Sequence, residues 1–243
     1  MHIEAVSVNH NTSAYMELMI RSLFARNQRR PSFALTICDN DSVDDLADLR
    51  RYAESVGVPI IPSGFPIATQ HNSHGEVLRR FVLEHSHCSH YLFLDADVCF
   101  VEEDVIAQLL SELEQQPDAF GIGPRMSWDG IAEIPSELRQ ANPDICDARL
   151  HPACALMRNT PLFQELAGAV GFSAISYLWA DRAEYRDTMK LFTQAMRACG
   201  QRHIVGKPLI QHFFAVSYPW DDQATTQHKA RMRDLQLRQL RAQ

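Results

Sequence analysis

Asp95 and Asp97 flank a single alanine, Ala96, directly after the apolar run Tyr91–Leu94. Two carboxylates this close at the end of a buried strand repel each other unless a cation or hydrogen bonds offset their charge. A divalent ion holding phosphate oxygens would do so. A solvated turn pair is the plainer alternative. It is disfavoured because the preceding run is fully apolar and Glu102, Glu103 and Asp104 already supply an acidic start to the next helix. Asp39-Asn40-Asp41-Ser42 ends an earlier strand, and Asn9-His10-Asn11-Thr12 ends the first. In a parallel sheet these turns share the carboxyl edge, where ligands gather. A carboxylate in the Asp39 turn could accept bonds from a base or ribose, although Asn/Asp turns are common without any ligand. His74-Gly75 opens a helix, where a histidine and free backbone N–H groups could meet a phosphate. Asp181, Glu184 and Asp187 are spaced i, i+3, i+6, and each could take a hydroxyl proton as general base. Asp187 reads equally well as a helix N-cap. His212 ends the last strand; its imidazole suits a transition metal, though a lone histidine is more often a packing residue. His85, His87, Cys88 and His90 form a tract that reads as a surface turn rather than a zinc site.

These residues need a scaffold in which strands and helices alternate. Ile3–Val8, Phe33–Cys38, Val58–Ile61, Tyr91–Leu94 and Ala119–Gly123 read as strands. Between them, Thr12–Ala25 has helix-forming composition. Leu46, Leu49, Ala53 and Val56 form a helical stripe behind a capping box of Ser42 and Asp45. Val77, Leu78, Phe81 and Val82 do the same behind Ser73 and Glu76, and Val105, Ile106, Leu109, Leu110 and Leu113 line the helix after the aspartates. A loop with Pro62, Gly64 and Pro66 leads to Ser73. Such alternation implies a parallel sheet covered by helices on both faces. Pro124–Pro152 reads as a long connection, and Ala153–Met157 as a further strand. Thr160-Pro161 starts a helix, Arg186–Cys199 forms another, and His203–Gln211 is extended.

Composition bounds the rest. With 243 residues, 46% apolar and 22% charged, the chain has a packed core and is neither disordered nor a disulfide scaffold. A net charge of −7 lacks the basic stripe of a nucleic-acid binder, so no nucleic-acid partner is expected. No apolar run is long enough to cross a bilayer, and no secretory signal is expected. Six cysteines without a C-x-x-C pair read as reduced thiols, which points to the cytoplasm. The tail from Lys229 places Met232, Leu235 and Leu240 among Arg231, Arg233, Arg238 and Arg241. It could lie peripherally on the inner face of the membrane, pack on a partner subunit, or stand solvated.

Taken in order, these motifs resemble glycosyltransferase family 2, a family of nucleotide-sugar-dependent enzymes, from Ile3 to about Ser217. The matching residues are Val8-Asn9-His10-Asn11, Asp39-Asn40-Asp41-Ser42, His74-Gly75, Leu92-Phe93-Leu94-Asp95-Ala96-Asp97, Asp187-Thr188 and His212. The resemblance implies an α/β GT-A fold: a Rossmann-like, mainly parallel central sheet with helices on both faces and the D-x-D at a strand's C-terminal end. Residues 1–220 would form that domain, with a nucleotide-binding half at about 1–124 and an acceptor-binding half at about 125–220. Residues 221–243 would be a basic helical tail. The implied activity is metal-dependent, inverting transfer of a hexosyl group from a UDP- or dTDP-sugar to a hydroxyl of a glycan, lipid-linked or small-molecule acceptor. Asp97 and His212 would hold Mn²⁺ or Mg²⁺, Asp95 would face the ribose or a metal-bound water, and Asp39 would read the base. Asn9, Asn11, Asn40, His74 and Ala96 would complete the donor site, and Asp187 would be the base. Trp179, Arg182 and His151 would lie on the sugar or acceptor side. The chain departs from the family where Arg186 replaces an acidic residue before Asp187, and where the third loop holds only Gly64 and Gly75. Two rivals are a haloacid-dehalogenase-like phosphatase using Lys207 and Asp221-Asp222, and a non-catalytic nucleotide-sugar-binding module.

Overall fold

The computed structural model of the chain describes residues 2–29, 31–65, 73–130, 132–217 and 222–242. The first part alternates as its periodicity requires: β1 (Ile3–Asn9), α1 (Ser13–Arg26), β2 (Phe33–Asp39), α2 (Ala47–Ser55), β3 (Ile60–Pro62), α3 (Ser73–Glu84) and β4 (His90–Asp95). There follow β5 (Val98–Phe100), α4 (Val105–Glu114), β6 (Ala119–Ser127), α5 (Ser136–Ala141), β7 (Cys154–Arg158), α6 (Pro161–Ala169), β8 (Ile175–Leu178), β9 (Ala183–Arg186), α7 (Lys190–Ala198), β10 (Arg202–His212) and α8 (Gln223–Arg241).

Eight strands form one sheet in the order β3-β2-β1-β4-β7-β6-β10-β5. Six run the same way; β7 and β5 run against their neighbours. Strand β4 shows why both faces must be covered. Its side chains alternate between two cores: Leu92 and Leu94 pack with Met16 and Ile20 of α1 and Leu109 of α4. Tyr91 and Phe93 pack with Phe81 of α3, Phe163 of α6 and Phe192 of α7.

Two residues separate β4 from β5, yet β5 pairs at the far edge of the sheet, antiparallel to β10. Both can hold only if the sheet curls, and the curl carries the end of β10 to the Ala96-Asp97 turn. The register shifts within β10 between Val205 and Leu209, around Pro208, which has no N–H to give. Beyond the reach of β5, side chains take the place of a strand: Glu112 accepts from the Lys207 N–H at 3.2 Å, and Glu102 from that of Leu209 at 2.9 Å.

Several local expectations are corrected. Neither capping box forms. Ser42 lies five residues before α2 and turns its hydroxyl to Asn9 and Asn11, while Ser73 is the first residue of α3 and accepts from Asn40. The third strand is Ile60–Pro62, and β6 runs on to Ser127. The late helix begins at Lys190 rather than Arg186, because Ala183–Arg186 pairs with Ile175–Leu178 in a hairpin. The tail is packed on its own domain: Leu237 is buried with Tyr15, Leu18 and Phe213, and Arg241 Nε donates to the buried Glu17 at 3.0 Å. Leu235 is not part of that face and is exposed. Residues 66–72 of the third loop, and Pro219, Trp220 and Asp221, lie outside the described residues.

Candidate active site

Three carboxyl strand ends set the site. The register pairs Asn9 with Asp39 and Val8 with Asp95, so β2, β1 and β4 finish level. Asp39 and Asp95 therefore stand two strand spacings apart, about 10 Å. Strand β10 adds the third wall: His212 lies across from Val98, and the Phe213 N–H donates to the Asp97 carbonyl at 3.0 Å. Asp95, Asp97 and His212 thereby converge, each offering a ligand atom within 4.8 Å of the others. His212 Nε2 is 3.0 Å from Asp97 Oδ1 and 3.7 Å from Asp95 Oδ2.

This donor set fits a hard or borderline divalent cation: two carboxylate oxygens and one imidazole nitrogen. Adjacent ligands of an octahedral ion bound at about 2.1 Å stand roughly 3 Å apart, close to the separations seen here. Charge explains the need. Burial pushes the Asp95 carboxyl above its ordinary range, and the Asp97 carboxylate adds to the rise, while His74, His212 and Arg149 oppose it. Burial works against a charged His212, but Asp97 and Asp95 outweigh it and raise the imidazole overall.

His74 reaches the same cluster, with Nε2 at 3.7 Å from Asp95 Oδ1. Gly75 makes this possible. A Cβ there would come within 2.7 Å of the Phe172 carbonyl carbon, and closer still to Ser173 N and Cα. Only glycine lets α3 start against that backbone. Glu76 then accepts from the Ser173 hydroxyl at 2.7 Å, and the Phe172 carbonyl accepts from Met189 N at 2.9 Å.

The Asp39 turn is a bracket between strand ends. Asn9 has no exposed surface; its amide donates to Asp39 Oδ1 at 2.9 Å, and its carbonyl accepts from Thr12. Buried Asn40 donates to Ser73 and accepts from Ser63 at 2.7 Å. Asn9 and Asn40 thus brace the Asp39 turn from beneath, every polar atom of their side chains bonded to a neighbouring side chain. Asn11 is exposed with a left-handed backbone (φ 54°), and its carbonyl oxygen accepts from Val43 N at 2.7 Å. Ala96 sits buried in the turn between the two aspartates.

Asp187 follows the β8–β9 hairpin, two residues before α7's N-cap, Met189, so it is not the cap of that helix. Its Oδ2 accepts from Arg149 Nη2 at 2.7 Å, its Oδ1 from Thr188 N at 2.8 Å, and its side chain is 40% exposed. The rivals stand differently: Asp181 is exposed at the hairpin tip, and Glu184 is paired with Arg186 at 2.9 Å. Trp179 and Arg182 share that tip, the guanidinium 5.9 Å from the ring centre. Arg149 carries no motif and was invisible in the sequence. Buried, it donates to the Asp144 and Thr188 carbonyls and to Asp187, and its charge also bears on Asp95 and His212. His151 is buried beside the cluster, its ring 5.1 Å from that of His212; burial, then the charges of Arg149, His212 and His74, hold it well below its usual range.

The histidine tract around His85 sits at the start of β4, opposite the aspartates, and among the described residues the only metal-competent cluster is Asp95, Asp97 and His212. A dehalogenase-like site finds no support: the D-x-D ends the fourth strand, and Asp222 is spent capping α8, accepting from Thr225 N at 2.9 Å.

This sheet order, with an acidic turn at the end of β4 and a histidine delivered by the last strand, is the GT-A fold of nucleotide-sugar glycosyltransferases. Among solved structures, the chain is similar to the mannosyltransferase PcManGT from Pyrobaculum calidifontis in complex with GDP-Man and Mn²⁺, with a TM-score of 0.62 and 15% identity over 97% of this chain and 62% of that one. It is also similar to S. aureus TarS 1–349, with a TM-score of 0.55 and 13% identity over 97% of this chain and 65% of that one. A third is glucosyl-3-phosphoglycerate synthase from Mycobacterium tuberculosis, in complex with Mn²⁺, UDP and glucosyl-3-phosphoglycerate, with a TM-score of 0.53 and 13% identity over 98% of this chain and 79% of that one. The chain spans less than two thirds of the length of the first two. No protein-family model and no curated protein matches it. No helix among the described residues is long and apolar enough to cross a membrane.

Proposed function

We propose that the chain is a metal-dependent glycosyltransferase that moves a hexosyl group from a nucleoside-diphosphate sugar to an acceptor hydroxyl with inversion. The observation that carries this reading is the convergence of Asp95, Asp97 and His212 at the carboxyl edge of the sheet, from strands 115 residues apart. Bound by Asp97 and His212, Mn²⁺ or Mg²⁺ would neutralise the diphosphate as it leaves. Asp39, held by Asn9, would accept from the donor's base about 10 Å away along the sheet edge. Asp95 would face the ribose, and His74 at the start of α3 would donate toward a phosphate oxygen. Asp187 would take the proton of the acceptor hydroxyl as its oxygen attacks the anomeric carbon and the sugar–phosphate bond breaks; such a base contributes about 10²–10⁴ in rate. Arg149, Thr188 N and, at 3.4 Å, the Tyr185 hydroxyl orient that carboxylate, whose exposed part would meet the acceptor.

Donors with uracil or thymine follow from the family resemblance, whereas the similar solved structures carry GDP-Man and UDP. A thermal-shift panel of UDP, dTDP and GDP with their sugars, with and without Mn²⁺, separates these, since a ligand of the folded state raises the melting point. Metal-dependent stabilisation by one nucleotide, lost in Asp97→Ala, supports the reading. Donor hydrolysis or sugar transfer then distinguishes an enzyme from a module that only binds. Asp187→Asn should keep donor binding and lose transfer.

A further inference from the structure

Metal-binding histidines are normally fixed by a hydrogen bond from the ring's other nitrogen. His212 lacks one: its Nδ1 is buried and has no partner among the described residues. The ring is instead covered by Phe214, centre to centre at 3.9 Å. Phe214 is held in a costly shape, because it and Ala215 are consecutive left-handed non-glycine residues, at φ 56° and 48°. Such a backbone persists only where its surroundings impose it. Here α8 does so: Lys229 Nζ donates to the Phe214 carbonyl at 2.8 Å. The same helix grips the other side of the histidine. Gln236 donates to the side-chain oxygen of Gln211 at 2.6 Å, and Gln211 donates onward to the Trp128 carbonyl at 3.1 Å.

We infer that α8 belongs to the metal centre, with Lys229 and Gln236 as positioning residues that aim the His212 imidazole at Asp97 and Asp95 through Phe214 and Gln211. The inference rests on the metal reading of that triad. It gives the basic tail a task inside its own domain, in which the Lys229 ammonium donates to a backbone carbonyl.

The test is direct Mn²⁺ titration of the full chain without nucleotide, by calorimetry and by loss of the free-Mn²⁺ electron paramagnetic resonance signal. Lys229→Met should weaken Mn²⁺ binding about 10-fold, the scale of outer-shell losses. Lys229→Arg should restore most of it, and Arg238→Met, exposed on the same helix, should leave it unchanged. Thermal unfolding of each metal-free variant separates positioning from a general loss of fold. Should Lys229→Met fail to fold, Phe214→Leu removes the ring and keeps an apolar side chain, with the same weakening expected. A folded Lys229→Met or Phe214→Leu variant that binds Mn²⁺ as tightly as the unaltered chain overturns the inference while the metal reading stands. An unaltered chain that binds no Mn²⁺ overturns both.

Discussion

Replacing Gly75 by alanine sets two effects of opposite sign against each other. Gly75 lies in the first turn of α3, and alanine there gains up to about 1 kcal/mol of helix propensity. The new Cβ, however, would fall 2.7 Å from the Phe172 carbonyl carbon and nearer still to two backbone atoms of Ser173, where ordinary contact begins at 3.4 Å. A backbone cannot rotate away as a side chain can, so α3 or the Phe172–Ser173 segment must shift. Overpacking of this kind costs roughly 1–3 kcal/mol. Three backbone atoms inside 3 Å place this case in the upper part of that range, about 2–3 kcal/mol, so the clash wins, with a net loss of about 1–2 kcal/mol, which for a chain of this size lowers the melting point by roughly 2–8 °C. Gly168 in α6 is the internal control, since a Cβ there meets nothing within 4 Å. Gly168→Ala should hold or raise the melting point. Differential scanning calorimetry of both variants reads the result, and nucleotide binding by Gly75→Ala should fall as well, because His74 loses its place beside Asp95. A melting point that rises equally in both variants would refute the close-approach argument.

Thr160→Ala removes the hydroxyl that accepts from Phe163 N at 3.1 Å and should cost about 1 kcal/mol, read as a fall of roughly 2–4 °C in melting point. Arg149→Met leaves two backbone carbonyls without their donor at about 1–2 kcal/mol each. Little is added for Asp187, whose exposure lets water screen it. Urea titration should show that loss, and transfer should drop further as the Asp187 turn loosens. Burial holds His203 below its ordinary value of 6.5. Its contribution to stability is therefore complete above that pH and is lost as the pH falls toward the folded-state value, because the unfolded chain takes up the proton first. Melting points measured from pH 7 down to about 5 should fall less steeply for His203→Gln than for the unaltered chain.

What could be read from the sequence was whatever rests on local pattern. Asp95 and Asp97 announced themselves through the apolar run before them, Thr160-Pro161 through cap chemistry, and His212 through its place after the last extended segment. The errors came where tertiary contacts override spacing. Asp181, Glu184 and Asp187 mimic one helical face, yet Glu184 lies in the β8–β9 hairpin and Asp181 at its tip, and Met189, Phe192 and Met196 carried the helix too far toward the N-terminus. Strand β5 has three residues, too few to show a period, although its pairing with β10 helps bring His212 to Asp97. Arg149 and Phe214 could not be found in advance, because their roles exist only once distant segments meet. The tail is the helix its sequence implied, but its place could not be read from charge: the structure spends Lys229 and Arg241 on contacts within the domain.

The two glutamates that close the outer side of β10 matter beyond this one chain. An unpaired strand margin is a template on which another polypeptide can add a strand, the first step toward cross-chain aggregation. Here Glu112 and Glu102 already occupy the outward donors at Lys207 and Leu209, and Pro208 between them offers none. An incoming strand would have to displace two carboxylates and leave their charge facing its own carbonyls. The stretch of the sheet's longest strand that β5 leaves uncovered is thus closed to recruitment by a stranger.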